Sequence, residues 1–192
     1  MKKLFSAILL IMAAMSMSSC GYNSIVKMDE DTKAKWGAVQ SQYQRRADLI
    51  PNLVSTVKGV ANFEKSTLTE VAEARAKATS VQVDASKLTP ETVQKYQQAQ
   101  GELSTALGRL LSVTENYPTL RANENFTALQ GQLEGTENRI SVARMDFNSS
   151  VQAYNGKIRS FPNNLTAKMF GFTPKGYFEA DATAQKAPKV EF

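Results

Sequence analysis

The sequence predicts an all-α protein, an elongated antiparallel up-and-down helical bundle of three to four long helices with a short C-terminal cap. Three long stretches of the 192 residues carry apolar side chains at alternating steps of three and four, the spacing of one helix face. No stretch alternates apolar and polar residues in the manner of a strand. Prolines and polar loops separate the stretches, so each has recognisable boundaries.

The first stretch runs from Trp36 to Ala78 and, as one helix, would extend about 65 Å. Pro51 lies inside it, and a proline lacks the backbone donor that an inner helical turn needs. We expect a kink or a restart within Leu49–Asn52, which serves either as a bend around neighbouring helices or as a hinge or groove for a partner. Polar residues interrupt the apolar stripe at Arg46, Glu64 and Thr67.

The second stretch follows a polar loop over residues 79–88. Thr89 is predicted to cap this helix and Pro90 to occupy its first position, because threonine accepts from the free backbone N–H groups there and proline has no N–H to leave unpaired. The helix is expected to end before Pro118, since the residue preceding a proline disfavours helical angles.

The third stretch opens near Asn123 and continues with the same apolar repeat to the Phe161-Pro162 pair. Asparagine is a favoured cap at the start of a helix, and the proline marks the end. These stretches alone would make a three-helix bundle. A fourth helix would come either from the segment before Pro51 or from the C-terminal part of the chain.

From Phe161 onward, large apolar residues lie among glycines and prolines. So dense an apolar cluster needs cover. We expect it to be buried with a short helix, Asn163–Phe170, that caps one end of the bundle before an irregular tail. The alternative is a docking patch for another protein. The cluster comprises Phe161, Met169, Phe170, Phe172, Tyr177 and Phe178.

The N-terminus has the composition of an export signal: Lys2 and Lys3, an apolar run over Leu4–Met15, and then small residues. The apolar run is shorter than the roughly 20 residues that span a bilayer. Cys20 is the only cysteine of the chain, so it has no partner for an internal disulfide. The segment Met17–Cys20 is similar to the lipobox of bacterial lipoproteins, in which the cysteine is acylated.

A lipidated Cys20 would anchor the mature chain durably through several acyl chains such as palmitate. Two alternatives stay open, a soluble exported protein with an incidental cysteine and a signal anchor that is not cleaved. Gly21 replaces the Asp that often retains lipoproteins at the inner membrane, which favours the outer membrane, facing the periplasm or the cell surface. The predicted organisation is a signal peptide (1–19), an anchor and tether (20–29), the bundle (30–180) and a C-terminal tail (181–192).

The composition removes the usual catalytic and metal-binding groups. The chain contains no histidine, which excludes Ser-His-Asp and Cys-His nucleophile systems and His-containing zinc sites. No phosphate-binding glycine loop is present. Removing Lys2 and Lys3 from the 23 basic residues leaves 21 against 18 acidic residues, a net charge of +3, and no block of like charges follows. We predict no enzymatic activity, cofactor, metal or nucleic-acid partner.

Two pairs of glutamates stand at helical spacing, Glu70 with Glu73 and Glu134 with Glu137. Four-helix bundles can hold metals with such carboxylates, but those sites also use histidine. We expect instead a solvated face, or salt bridges to three arginines: Arg75, Arg139 and Arg144.

Eight segments resemble the LemA family. The four long ones are RRADLIPNLV from Arg45, TVKGVANFEKSTLTEVAEARAKA from Thr56, YPTLRANENFTALQGQLEGTENRISVAR from Tyr117 and VQAYNGKIRSFPNNL from Val151, and the short ones are ALGRLL, FGF, YFEA and the terminal PKVEF. They occur in the family's order, over nearly the whole mature chain. The resemblance implies a long helical bundle tethered to a bacterial membrane at its N-terminus, without established catalytic residues. Family members usually carry a transmembrane helix there, and the lipobox-like Cys20 departs from that topology.

The resemblance marks ten motif positions as structural or partner-contact residues: Arg45, Arg46, Asp48, Pro51, Asn52, Glu134, Thr136, Glu137, Asn138 and Arg139. A hydrogen-bonded polar seam between helices would explain the GTENR motif at 135–139, since buried polar groups need partners. The basic pair at 45–46 could instead contact anionic lipid or an acidic partner.

These features predict a non-enzymatic, membrane-anchored helical scaffold or adaptor lipoprotein of the bacterial cell envelope, with protein partners. A rival is an accessory subunit that regulates an envelope enzyme such as a membrane peptidase, whose activity would change when this chain is deleted. A second rival is a hydrolase or metal-dependent enzyme with an unrecognised site, which a bound catalytic metal would reveal.

Overall fold

The structure, a computed structural model, describes the backbone of residues 2–59 and 63–179, and within those ranges the side chains from Gly21 onward. The predicted C-terminal tail, 181–192, lies outside the described residues, as does the side chain of Cys20. Every regular element in the described part is a helix, which confirms the all-α prediction. The helices are α1 (Lys2–Lys58), α2 (Lys65–Ser80), α3 (Pro90–Thr114), α4 (Pro118–Arg121), α5 (Glu124–Arg159) and α6 (Asn163–Phe170).

The two longest helices, α1 and α5, run in opposite directions. Ile25 near the first described side chains of α1 packs with Ile158 near the end of α5. Further along α1, the ring of Trp36 lies 5.3 Å from that of Phe147. As the chain ascends α1, its partners therefore descend α5, which is the antiparallel arrangement that the sequence predicted.

Helices α2 and α3 complete the up-and-down bundle. Arg75 of α2 donates from Nε to the carbonyl of Ala47 in α1 at 2.8 Å, so α2 returns along α1. The next reversal brings Glu70 within 3.1 Å of Arg109 in α3. The four long helices are therefore α1, α2, α3 and α5, while α4 is a single turn between α3 and α5.

The first break in the bundle differs from the prediction. α1 continues through Pro51 and ends at Lys58, and a turn at Gly59 precedes α2. Pro51 leaves the carbonyl of Ala47 without its helical donor, and Arg75 Nε donates to that carbonyl at 2.8 Å, so α1 can continue through the proline. Glycine is a poor helix former and eases a turn. The expected restart within Leu49–Asn52 is wrong. The fourth helix is α2, the second part of the stretch Trp36–Ala78 that the apolar periodicity predicted as a single helix.

The predicted caps are confirmed. Thr89 accepts at Oγ1 from the backbone N–H of Thr92, and Pro90 stands in the first turn of α3. Asn123 accepts at Oδ1 from the N–H of Phe126 at 3.1 Å, which starts α5. Each bond satisfies one of the donors that a helix leaves free at its start.

Three apolar cores follow one another along the bundle. The distal core lies near the end of α1, where Leu53 packs with Leu110 and residues of α2 and α5. The aromatic core is centred on Trp36, which stacks on Phe178 with 5.8 Å between the ring centroids. The third core joins the beginning of the described part of α1, around Ile25, to α5 and α6.

The C-terminal part confirms the predicted helix but not its predicted burial. α6 spans Asn163–Phe170 as expected, and residues 172–179 then run back along the bundle without regular structure. Of the apolar cluster, Phe178 is buried and Phe172 half-buried, because α6 packs through its small residues Thr166 and Ala167 instead. Burial is therefore the wrong expectation for the other four members, which are exposed: Phe161, Met169, Phe170 and Tyr177.

Candidate functional site

The described part of α1 begins directly after the predicted lipidation site, and it packs at once against α6. A Cβ atom on Gly21 would lie 2.8 Å from Asn163 Oδ1, so a larger residue fits only if Asn163 moves. The ring of Tyr22 lies 4.6 Å from that of Phe170. The first and last residues of α6 thus contact consecutive residues of α1, which means that α6 crosses α1 and does not run alongside it.

α6 is amphipathic, but its large apolar side chains face away from the bundle. An amphipathic helix on a globular protein usually buries that face. Here the buried residues are Thr166 and Ala167. Three exposed residues of α6 and Phe161, in the turn before the helix, form what we call the apolar stripe: Phe161 (80% exposed), Leu165 (58%), Met169 (71%) and Phe170 (57%).

A charged network fastens the C-terminal segment to α1 near this end. Asp29 Oδ1 lies 2.8 Å from Lys175 Nζ, and its other oxygen lies 2.7 Å from Lys33 Nζ. Burial raises the pKa of Asp29, but the hydrogen bonds and charges of the two lysines outweigh it and hold this pKa below its ordinary value. Lys175 Nζ also lies 5.0 Å from the ring centroid of Tyr154, and burial raises the pKa of Tyr154 to about 12.

Three amide side chains hold residues 172–179 by their backbone. Each amide donates to the carbonyl and accepts from the N–H of one residue, which is what a neighbouring strand would offer an extended chain. The six donor–acceptor distances lie between 2.8 and 3.0 Å. We call these pairs the amide clamps: Asn155 on Lys175, Asn148 on Phe178 and Gln97 on Glu179.

Gly176 brings the same segment close to the start of α3. A Cβ atom there would lie 2.6 Å from Pro90 Cα, a distance that side chains do not adopt. The N–H of Gly176 donates to the carbonyl of Leu88 at 2.9 Å. This position therefore requires glycine, because the backbone of the segment touches the backbone before and within α3.

A buried arginine joins the helices at mid-length. Arg46 donates from Nη1 to Ser104 Oγ at 2.7 Å and to Glu137 Oε2 at 3.0 Å. Its Nη2 donates to the Oε1 and the backbone carbonyl of Gln100 at 2.8 and 3.1 Å. The Gln100 amide in turn donates to the carbonyl of Ala78 in α2. This Arg46 seam, formed by Arg46, Gln100, Ser104 and Glu137, links all four long helices with directional bonds.

An open groove of about 330 Å³ lies between α1 and α5. Val142 lines it and is 53% exposed. Gln42 places a buried Oε1 there that has no hydrogen-bond partner among the described residues. The charged rim comprises Lys35 and Asp146, 3.5 Å apart, and Arg139, which pairs with no carboxylate in the described part. We call this feature the α1–α5 groove.

Three of the four paired glutamates are exposed, as the expectation of a solvated face had it: Glu73, Glu134 and Glu137. The arginine partners named as the alternative are wrong. Glu70 pairs with Arg109 of the neighbouring helix, and Glu137 pairs with Arg46. Arg75 bonds a carbonyl of α1, as described above, because its side chain points across the helix interface. Within the described ranges, no three metal-ligating side chains come together. None of the helices searched there is long and apolar enough to cross a membrane.

Comparison with known proteins identifies the family to which this chain belongs. The LemA family model matches residues 35–192. The chain belongs to the LemA family. Its relatives include Magnetosome protein MamQ 2 of Paramagnetospirillum magneticum, 29% identical over 194 residues that cover 90% of this chain and 70% of the relative. MamQ of Magnetospirillum gryphiswaldense is 29% identical over 82% of this chain and 64% of the relative. Protein LemA of Metamycoplasma hominis is 22% identical over 82% of this chain and 68% of the relative.

The structure separates the ten LemA motif positions into two groups. Arg46 and Glu137 meet in the Arg46 seam, and Thr136 is buried beside them, where its hydroxyl donates to the carbonyl of Gln132 at 2.7 Å. Asn138 lines the α1–α5 groove together with Arg139. All seven remaining positions are exposed: Arg45, Asp48, Pro51, Asn52, Glu134, Asn138 and Arg139.

Sequence reasoning missed the residues that hold the C-terminal segment of this LemA chain. A signal for two of them exists, because Asn148 and Asn155 stand seven residues apart, two helical turns, beside the apolar face of α5. Asp29 and Lys175 carry no such signal, since 146 positions separate them and one extended segment brings them together.

Proposed function

We propose that this LemA chain is a non-enzymatic adaptor lipoprotein of the bacterial cell envelope, held at the membrane through a lipidated Cys20. An outer-membrane location is favoured, because Gly21 follows the cysteine. The observation that carries the proposal is the continuity of α1, whose backbone passes through the lipobox-like segment directly into the packed bundle. Membership of the LemA family supports the N-terminal tether, which the resemblance of the sequence already implied.

The α1–α5 groove is the surface on which we propose that a protein partner binds. Its exposed Val142 offers apolar area, and a donor from a partner would satisfy the buried Oε1 of Gln42. Arg139 would pair with a partner carboxylate. A partner segment that combines an apolar side chain, an amide or hydroxyl donor and an acidic residue fits this chemistry.

The lipid anchor is tested by replacing the cysteine. Cys20→Ala should remove labelling by a fatty-acid analogue in cells and release the chain from the membrane fraction. Ser19→Ala is the matched control, because it keeps a small residue before the cysteine and should leave labelling unchanged. If Cys20→Ala stays in the membrane fraction, the leader itself is the anchor, and persistent labelling would place the lipid elsewhere.

The partner surface is tested by site-specific photo-crosslinking in cells. A photoreactive residue at Val142 should give one discrete adduct, and Arg139→Glu should weaken that adduct by removing the cation that a partner carboxylate meets. The matched control is the same photoreactive residue at Lys95, an exposed position of α3 outside the groove. Equal adduct yields at both positions, or a yield that Arg139→Glu leaves unchanged, would contradict partner binding in the α1–α5 groove.

A further inference from the structure

The apolar stripe on α6 is left uncovered by the fold. Three large apolar side chains of α6 and Phe161, in the turn directly before it, are each more than half exposed. Contiguous apolar surface of this kind marks a place where a protein meets another apolar phase. α6 buries its small residues Thr166 and Ala167 against the bundle and turns its large apolar residues toward solvent. The side of α6 that would normally face the core is therefore turned out.

The position of α6 indicates what that phase is. Asn163 lies against Gly21, so α6 begins beside the residue that follows Cys20. Upstream of that cysteine, the sequence is the apolar run Leu4–Met15. Under the proposed anchoring, the bilayer lies at this end of α1 whether the leader is exchanged for lipid or kept as an anchor. Because α6 crosses α1, it would lie close to the membrane plane when α1 stands upright, as interfacial helices do.

The charges around α6 favour an anionic surface. Lys157, Arg159 and Lys168 lie on or beside this helix, and residues 157–172 contain no aspartate or glutamate. Basic side chains that flank an interfacial helix attract anionic headgroups. Tyr22, partly exposed next to Phe170, adds an aromatic ring with a polar tip at the level where such rings are enriched at membrane interfaces.

We propose that α6 lies in the interface of an anionic lipid bilayer, with Phe161, Leu165, Met169 and Phe170 among the acyl chains and the three cations at the headgroups. This second contact rests on the proposed anchoring of the N-terminus. It adds a second contact to the single attachment point at Cys20, and the two contacts together restrict how the bundle can tilt.

The test places a fluorophore on the stripe in the full-length chain, reconstituted in vesicles of phosphatidylcholine and phosphatidylglycerol. Leu165→Cys carries an environment-sensitive dye, and Val142→Cys is the matched control, an apolar position of similar exposure in the α1–α5 groove. Quenching is measured with aqueous iodide and with nitroxide lipids. We expect the iodide quenching constant to be about fivefold lower at residue 165 than at residue 142, and nitroxide lipids to quench only the dye at 165.

Each other outcome overturns the contact in an identifiable way. A dye at 165 that iodide reaches as readily as at 142, on protein that floats with the vesicles, removes the α6 contact and leaves the anchor standing. Protection from iodide without quenching by nitroxide lipids means that protein covers the stripe, for example a second copy. Failure to float removes both proposals. If the unmodified chain itself takes the dye, Cys20 carries no lipid, and the same measurement in Cys20→Ser decides the α6 contact alone.

Discussion

At the Arg46 seam a charged side chain lies 2% exposed, whereas in the apolar stripe of α6 and the turn before it four large apolar side chains lie more than half exposed. Folded proteins usually expose charged side chains and bury large apolar ones, and each of these two regions does the reverse for one of the two classes. The two Nη atoms of Arg46 donate directed bonds to α3 and α5, and its buried Nε has no partner among the described residues. Nothing in the described residues covers the apolar stripe on its outer side. The seam is therefore explained by the fold alone, while the stripe points to a contact outside the chain.

The difference teaches how to assign roles to family motif residues in this protein. The resemblance treated all ten positions alike, but those in the seam hold helices together and those on the surface do not. Conversely, the stripe lies entirely outside these ten positions and becomes visible only when burial is known. Substitutions that affect folding and substitutions that affect membrane contact should therefore separate cleanly between the two regions.

The largest effect is expected from Arg46→Met. Removing the guanidinium leaves the buried Oε1 of Gln100 without its donor and breaks the bonds to Ser104 and Glu137, so the free energy of unfolding should fall by about 3 kcal/mol. Urea unfolding followed by circular dichroism measures it. Arg45→Met, at an exposed neighbour, should change stability by less than about 0.5 kcal/mol. If both variants unfold alike, the seam does not stabilise the bundle.

A somewhat smaller effect is expected from the amide clamps. Asn155→Ala leaves the N–H and carbonyl of the buried Lys175 unpaired, which should cost about 2 kcal/mol. Gln97→Ala acts on the exposed Glu179, where water replaces the lost bonds, and should cost less than about 1 kcal/mol. Hydrogen–deuterium exchange of residues 172–179 reports the release of the segment, and faster exchange in Gln97→Ala than in Asn155→Ala would contradict this order.

The ion pair of Asp29 should make the α6 end sensitive to acid. The folded-state pKa of Asp29 is lowered, so its contribution is present above the unfolded pKa of about 3.9 and is lost as pH falls through the folded value. Asp29→Asn should cost about 1–2 kcal/mol at neutral pH, because Lys175 stays buried without its carboxylate. The loss should vanish at a pH well below 4. A difference between variant and parent that does not shrink in acid would refute this role.

The smallest effect on folding should come from the stripe itself. Leu165→Gln combined with Met169→Gln should change the free energy of unfolding by less than about 0.5 kcal/mol, since both side chains already face solvent. Ile158→Gln, at a buried position of the same end, should cost about 3 kcal/mol or more. Urea unfolding without vesicles compares them. Marked destabilisation by the double variant would mean that the stripe is packed in solution.

Local signals in the sequence were sufficient for much of the fold. Thr89, Asn123 and the Phe161-Pro162 pair placed helix boundaries correctly, because caps and prolines act on their immediate neighbours. The break after Lys58 was missed because the apolar register continues into α2, and an exposed proline was a more prominent signal than a glycine. Apolar periodicity cannot show that the chain reverses direction between two helices when the apolar register continues unbroken from one helix into the next.

The candidate site was less predictable, for a physical reason. Composition located the apolar cluster of the C-terminal part, but whether a side chain such as Met169 faces in or out depends on which side of α6 packs on α1. That choice follows from the close approach at Gly21, which is a tertiary contact. In the same way, Arg46 could be identified as a polar interruption of an apolar stripe, while its partners on α3 could not.

The most direct test measures which end of the bundle faces the bilayer. Energy transfer to a headgroup-labelled acceptor lipid is compared for donors at Leu165→Cys and at Ser112→Cys in the full-length chain on vesicles. Residue 112 is exposed near the distal core, about 50 Å from Gly21 along α1. We expect nearly complete transfer from position 165 and little from position 112. Equal transfer from both positions would show that the bundle lies flat or moves freely, and would contradict an upright chain seated on α6.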